Sequence, residues 1–230
     1  MNSKKTALVL VAGGSGTRMG GKLPKQYMKI NGREIIEHTL STFHDSGMFD
    51  KIVIVCAKPY MAHVTSLLQS FKSEIPVVIT ESGETRQASV FNGLKKVSDC
   101  HYVMIHDAVR CCITVDEIKS LAKVLIQDKA CALGLKVKDT IKLSNDDNTI
   151  LNTLNRDNLW HIQTPQAFVT SEIIGAHNLA MQQNFNATDD CAIAENAGIC
   201  VTIVEGSDTN LKITTPFDLV VASEILKGRA

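Results

Sequence analysis

Five short apolar runs alternate with segments of helical periodicity along the first 137 residues, and no other feature limits the fold as tightly. The runs are "TALVLVA" (6–12), "KIVIVCA" (51–57), "IPVVIT" (75–80), "HYVMIHDA" (101–108) and "ACALGLKV" (130–137). They are near-continuously apolar rather than alternating, the mark of strands buried on both faces. Between them, Ile35, Ile36, Thr39, Leu40 and Phe43 share one helical face within 33–46, and Val90, Leu94 and Val97 share another within 84–97. Residues 60–71 and 115–127 also read as helices. Such alternation predicts an α/β fold with a mostly parallel sheet and helices on both faces.

The pattern breaks after residue 137. Residues 138–160 are polar, with strand-like ends "KDTIKLS" and "TILNTLN" around "NDDN", where Asp147 and Asn148 suit a turn. This predicts a β-hairpin arm with little core of its own. An exposed hairpin needs a partner surface, so it is expected to pack on a second subunit. Helices near 171–183 and 189–197, a strand at 200–205 and a helix at 216–227 follow. With no internal repeat or low-complexity tract, residues 1–230 read as a single domain carrying an arm at about 138–160.

With 44% apolar residues the chain can bury a substantial core. Lys plus Arg is 24 and Asp plus Glu is 24, which argues against a nucleic-acid partner, for which a basic excess is expected. The seven cysteines are odd in number and contain no C-x-x-C pair, with Cys56, Cys131 and Cys200 in apolar runs. They read as reduced thiols of a cytoplasmic protein, not as a disulfide scaffold. The apolar run of the N-terminus is one strand long, too short for a signal peptide, and no stretch approaches the ~20 apolar residues of a membrane span.

The loop after the first strand, "AGGSGTRMGGKLPKQY" (12–27), lies where α/β proteins bind ligands. Gly13, Gly14 and Gly16 allow close backbone approach and can present N–H groups to phosphate oxygens. A dinucleotide site requires Gly or Ala where Met19 stands, and an acidic residue at the end of the second strand, where Cys56 and Lys58 stand. A P-loop fits Gly16 to Lys22, but Leu23 occupies the place of the magnesium-binding Ser or Thr, and Pro24 disfavours a helix there. A nucleotidyltransferase loop, A-G-G-x-G-x-R-M followed by L-P-K-Q, explains the glycines together with Arg18 and Lys25.

Nine segments in order carry a resemblance from residue 6 to about 225: "AGGSGTRM", "LPKQY", "IIEHTL", "SGETRQASVFNGL", "IHDAVR", "VKDTIK", "NRDNLWHIQTPQAF", "ATDDCAIAE" and "VEGSDTNLKITTPFDL". The chain resembles the 2-C-methyl-D-erythritol 4-phosphate cytidylyltransferases. A cousin family, the ribitol-5-phosphate cytidylyltransferases, shares the loop and "TPQ"; "VKDTIK" and "RDNLWHIQTPQAF" resemble the erythritol-phosphate enzymes more. Cys111 stands where the family usually has Pro, and Val11 and Gly13 stand where some relatives have Pro and Ala.

The resemblance implies a Rossmann-like nucleotidyltransferase fold and a reaction of CTP with a sugar-alcohol phosphate that gives a CDP-sugar alcohol and pyrophosphate. The nucleophile would be a phosphate oxygen, largely dianionic at neutral pH because the second pKa is about 6. No general base is required. The obstacle is repulsion: one pair of like charges at 4 Å costs about 4 kcal/mol at an effective dielectric of 20. Catalysis should therefore be cation placement. By resemblance, Arg18 and Lys25 neutralise the triphosphate, Arg156 and Lys212 position the attacking phosphate, and Arg110, Thr140 and Thr188 join the acceptor pocket. Ala12, Gly13 and Gly14 would meet the base through main-chain groups, with Gly83, Glu84 and Ser89 at base or ribose. Asp107, at the carboxyl end of an apolar strand, and Asp208, in a turn, are the candidate magnesium carboxylates. The family's arm crosses to a second subunit, so a homodimer with composite sites is expected.

Other chemistries are weaker. His106 with Cys111 and Cys112 fits no structural zinc spacing and reads as packing. Trp160 and Phe168 read as core beneath the arm, and Thr188 and Asp189 also suit a helix cap. A non-catalytic nucleotide sensor could dispense with the acceptor cations, yet Arg156 and Lys212 are present.

Overall fold

The computed structural model describes residues 4–14, 23–71 and 73–229. In chain order the strands are β1 (Thr6–Ala12), β2 (Lys29–Ile30), β3 (Arg33–Glu34), β4 (Lys51–Cys56), β5 (Val77–Glu81), β6 (Tyr102–Asp107), β7 (Ala130–Lys136), β8 (Lys142–Ser144), β9 (Ile150–Thr153), β10 (Trp160–Val169) and β11 (Thr202–Glu205). The helices are α1 (Ile35–Asp45), α2 (Met61–Phe71), α3 (Arg86–Leu94), α4 (Val115–Asp128), α5 (Thr170–Gln182), α6 (Asp190–Asn196) and α7 (Pro216–Lys227).

The five apolar runs become β1, β4, β5, β6 and β7. The central sheet has seven strands in the order β11-β7-β10-β6-β1-β4-β5, so the expected mostly parallel sheet is present. β1 is parallel to both β4 and β6, β4 to β5, and β7 to β11. Only β10 runs antiparallel, hydrogen-bonded between β6 and β7. Strand order reverses at β1, with β4 on one side and β6 on the other. A cleft forms beyond the carboxyl ends at such a point.

Alternating residues of β1 face two cores. Leu8, Leu10 and Ala12 pack with Ile36, Leu40 and Phe43 of α1, Val64 and Leu67 of α2, and Ile118, Leu121 and Leu125 of α4. Ala7 and Val9 pack with Val90 and Leu94 of α3, Ile173, Ala176 and Ala180 of α5, and Cys191, Ile193 and Ala194 of α6. A smaller cluster joins Ile30, Ile35, Val109, Cys111, Cys112 and Ile213 to Ala222 of α7.

Three expectations are corrected. The helix expected from residue 33 starts at Ile35, because Arg33 and Glu34 pair with β2, and Glu34 forms a capping box with Glu37. β10 is not legible in the sequence: a proline inside "WHIQTPQAFV" argues against a strand, and Pro165 is accommodated where the pairing to β7 shifts register between Ile162 and Gln166. Trp160 does not lie in the core with Phe168. Phe168 is buried, whereas Trp160 is half-buried, with Lys136 Nζ 5.6 Å from its ring centroid.

Among the cysteines, Cys56 and Cys131 are buried as expected and Cys200 is exposed; all seven are free thiols. No helix among the described residues is long and apolar enough to cross a membrane.

The hairpin is present as β8 and β9, every residue of both exposed, including Leu143, Ile150 and Leu151. Its turn places Asn148 in the left-handed region at φ 64°, with Thr149 N–H donating to Asp147 Oδ1 at 3.0 Å.

Candidate active site

The candidate site lies beyond the carboxyl ends of β1 and β6, which pair in register with Val11 opposite Asp107. Ala12, Gly13 and Gly14 continue from β1. Their course is held by Gln26, whose amide nitrogen donates to the carbonyls of Ala12 at 2.6 Å and Gly14 at 2.9 Å. Gln26 sits in a single 3-10 turn, Lys25–Tyr27, directly after Pro24. The pre-set φ of that proline starts the turn. Gly16 and Arg18 lie outside the described residues.

At two places here the chain leaves no room for a Cβ unless a neighbour shifts. A Cβ on Gly13 would stand 2.5 Å from Ser82 Cβ, and one on Gly83 would stand 2.5 Å from Ala88 Cβ. The two glycine segments thus close on each other. Ser89, expected to meet base or ribose, is buried. Its Oγ accepts the Gly83 N–H at 3.0 Å and donates to the Thr85 carbonyl at 2.8 Å, so it shapes the second glycine segment. Glu84 is exposed beside it.

Asp107 ends β6 with only 6% of its surface exposed. Its Oδ2 lies 2.7 Å from Lys212 Nζ, and its Oδ1 accepts from Arg86 Nε at 3.3 Å. Burial alone would raise its pKa, but the nearby charges of Arg86, Lys212 and Arg110 outweigh it and hold the carboxyl well below the usual range. Arg86 also reaches Asp190, Nη1 to Oδ2 at 2.9 Å. Burial opposes the charge of Arg86, and the two carboxylates more than restore it, so its pKa is raised. Arg110 is buried enough for its pKa to fall, with Nη1 donating to the Asn210 carbonyl at 2.8 Å and Nε without a partner among the described residues. Three cations (Arg86, Arg110, Lys212) against two carboxylates (Asp107, Asp190) leave the cluster one positive charge in excess. Lys25 reaches the same end of the sheet, its Nζ donating to the Ile213 carbonyl at 2.7 Å, one residue from Lys212.

A neutral chain braces the floor. Asp107 N–H donates to Thr164 Oγ1 at 3.1 Å, and Thr164 Oγ1 contacts His106 Nδ1 at 3.0 Å. His106 Nε2 lies 3.2 Å from the Arg110 carbonyl, which only accepts, so Nε2 carries the proton and Nδ1 accepts from Thr164. Burial pulls the His106 pKa down to about 3. The packing role expected for His106 is therefore present. Among the described residues no group of three His, Cys, Asp or Glu is placed to hold a metal.

Sequence reasoning singled out Asp107, Lys212, Arg110, Lys25, Gly13, Gly83 and Ser89, and the fold brings these together. It missed Arg86, Gln26, Thr164 and Asp190. Arg86 carried a partial signal: it opens α3 just after the Thr85 cap, where the helix dipole disfavours a cation, but nothing in the sequence names the carboxylates that offset it. Other expected residues stand apart. Asp208 is exposed and ion-paired with Lys138 rather than with any member of the Asp107 cluster. Arg156 is exposed at the foot of the arm, its Nη1 donating to the Lys138 carbonyl at 2.6 Å, and Thr140 is exposed nearby in sequence. Thr188 is exposed just before Asp189, which caps α6 by accepting from Ala192 N–H at 3.0 Å.

A family model described as 2-C-methyl-D-erythritol 4-phosphate cytidylyltransferase (IspD) matches residues 6–228. The chain belongs to this family. The protein of that name from Alkaliphilus oremlandii is 41% identical over 230 residues, 99% of this chain and 98% of its own length. The one from Caldanaerobacter subterraneus subsp. tengcongensis is 40% identical over 221 residues, 95% and 97% of the two chains. The crystal structure of 4-diphosphocytidyl-2C-methyl-D-erythritol synthase from Anaerococcus prevotii superimposes with a TM-score of 0.86 at 30% identity, covering 97% of this chain and 99% of that one. The Francisella tularensis cytidylyltransferase gives 0.82 at 31%, covering 96% and 99%. The seven-stranded sheet is thus the nucleotidyltransferase fold of the IspD family, and the chain is a cytidylyltransferase by membership.

Proposed function

We propose that the chain transfers CMP from CTP to 2-C-methyl-D-erythritol 4-phosphate, giving 4-diphosphocytidyl-2-C-methyl-D-erythritol and pyrophosphate. The observation that carries this is the Asp107 cluster: cations in excess around a buried carboxylate, beside two glycine segments that only backbone-scale contacts could fill.

In this reaction an oxygen of the acceptor phosphate attacks the α-phosphorus of CTP, and the bond from that phosphorus to the bridging oxygen of pyrophosphate breaks. Arg18 and Lys25 offset the charge of the triphosphate. Lys212 and Arg110 draw the acceptor phosphate in, and the exposed Thr188, just before Asp189, would meet the bound acceptor. Ala12, Gly13 and Gly14 offer main-chain groups to the cytosine edge, and Gly83 and Glu84 flank the ribose. Excess cations at the site also speed the encounter of two anionic substrates.

Asp107 suits a magnesium ion. It is anionic, hard and buried, and each of its oxygens keeps a second lone pair beyond its present contact. Magnesium in such sites is held by one or two carboxylates plus substrate phosphates, so a full protein cage is not required. The ion would neutralise phosphate charge. Asp208, paired with Lys138, has no comparable setting.

Arg156 and Thr140 stand with the arm rather than with Asp107 of their own chain, and the arm exposes Leu143, Ile150 and Leu151. Both features support a homodimer in which each arm carries Arg156 and Thr140 to the acceptor pocket of its partner.

Pyrophosphate release and product mass, measured with CTP, UTP and ATP against methylerythritol phosphate and ribitol 5-phosphate, test the assignment. Turnover should be confined to CTP with methylerythritol phosphate. A preference for ribitol 5-phosphate, or no release with any pair, overturns it.

A further inference from the structure

The chemistry above gives no role to the buried pair Asp190 and His177. Asp190, the first residue of α6, is 1% exposed, and His177, in α5, is 0% exposed. Asp190 Oδ2 accepts from Arg86 Nη1 at 2.9 Å and Oδ1 lies 3.3 Å from His177 Nε2, while its backbone N–H donates to Gln166 Oε1 at 2.9 Å. His177 Nε2 faces a carboxylate and so carries the proton. The ring is held in plane by stacking on Phe91 of α3, centroids 5.7 Å apart and planes at 17°. Asp190 is thus fixed from α3, α5 and β10 at once.

A buried carboxylate is expensive unless it is paired and hydrogen-bonded, so a helix start needs another reason to keep one. Here the cap is already supplied by Asp189, which accepts from Ala192 N–H at 3.0 Å. The reason lies in Arg86. A guanidinium is a rigid planar fork, and this one is split between two carboxylates on different elements. Nη1 binds Asp190 at 2.9 Å, and Nε binds Asp107 at the longer 3.3 Å. Asp190 is the closer anchor. Without it the guanidinium is free to turn about its last torsion and leave Asp107.

We propose that Asp190, oriented by His177, is a positioning residue: it fixes the plane of Arg86 and through it the orientation of the Asp107 carboxylate. The activity readout of this proposal rests on the cytidylyl-transfer function above; its structural readout does not.

The test is a double-mutant cycle. Asp190→Asn keeps the volume but removes the charge and presents a donor to His177. With CTP saturating it should lower kcat by about ten- to a hundredfold, the scale of an ångström-level misplacement, with KM for CTP within twofold. His177→Phe keeps the ring and the stack and should give a smaller loss of the same kind. In an Arg86→Gln background, Asp190→Asn should cause no further loss, whereas a merely structural role would add its own. Wild-type kcat in a folded Asp190→Asn protein, or full additivity with Arg86→Gln, overturns the proposal. Should the wild type not turn over CTP, the functional assignment falls, and the crystal structure of Asp190→Asn decides the positioning. Arg86 displaced from Asp107 supports it; Arg86 Nε still within hydrogen-bond reach of Asp107 Oδ1 overturns it. If Asp190→Asn does not fold, His177→Phe is read in the same two ways.

Discussion

Lys212 Nζ lies 2.7 Å from Asp107 Oδ2, so the loop before α7 and the end of β6 meet in a charge pair at the mouth of the cleft. The lysine is 39% exposed in its side chain while the carboxylate is 9% exposed, so one partner faces the cleft and the other the protein. An incoming phosphate can therefore compete for Lys212 without exposing Asp107. Lys212→Ala should cut kcat/KM by about a hundredfold or more, as loss of a preorganised charge donor does. The melting temperature should fall as well, because the variant leaves the buried Asp107 carboxylate with one charge partner fewer. Steady-state kinetics with thermal melting check both halves.

Gly13 gives a steric prediction. Alanine there puts its Cβ 2.5 Å from Ser82 Cβ, and neither atom is the end of a flexible chain. Gly13→Ala should lose about 1–3 kcal/mol of stability, the usual scale of overpacking, and weaken CTP binding. Ser82→Gly in the same chain removes the obstructing atom and should restore both. Calorimetric titration with CTP reads the rescue; a single variant that binds like the wild type would count against close apposition of the two glycine segments.

Gln26 makes the same point through hydrogen bonds. It is 2% exposed and serves the Ala12 and Gly14 carbonyls together. Gln26→Leu leaves both acceptors without their donor, at a cost of about 1–3 kcal/mol. The nucleotide KM should rise more than the acceptor KM, which two-substrate kinetics separate.

His106 sets a pH dependence. Its folded pKa, near 3, lies below the ordinary value of about 6.5. Between these the unfolded chain binds a proton that the folded chain does not, so stability is complete above pH 6.5 and falls as the pH drops toward 3. Asp107, held low by its cations, adds a loss only in stronger acid. Melting temperatures from pH 7 to pH 4 should fall less steeply in His106→Gln than in the wild type; parallel slopes would remove the assignment.

The arm gives the fifth contrast. Arg156→Ala should chiefly raise KM for the sugar phosphate, and Leu151→Lys should shift sedimentation toward a monomer with the same kinetic defect. Full activity in a demonstrably monomeric sample would refute the composite site.

Much of this was legible beforehand because it rests on local patterning. Near-continuous apolar runs announce strands buried on both faces, and five of the seven central strands were readable that way. β10 was not: its register shift hides a strand behind a proline, and its partners lie far off in sequence. Cations in distinctive motifs, such as Lys25 and Lys212, could be named from their neighbours. Arg86, Asp190 and Gln26 could not be assigned roles, because their roles are defined by what the fold brings opposite them. Asp208 shows the converse, a carboxylate in a suggestive motif whose partner is an exposed lysine.

β10 leaves the arm at Trp160 and, four residues on, places Thr164 Oγ1 against the N–H of Asp107. The strand therefore runs from the foot of the arm, six residues beyond the hairpin, to the floor of the cleft, paired with β7 on either side of its register shift and with β6 over Gln166–Val169. A tug on the hairpin passes through the short turn at Arg156–Asn158 and then along that rod to the candidate site.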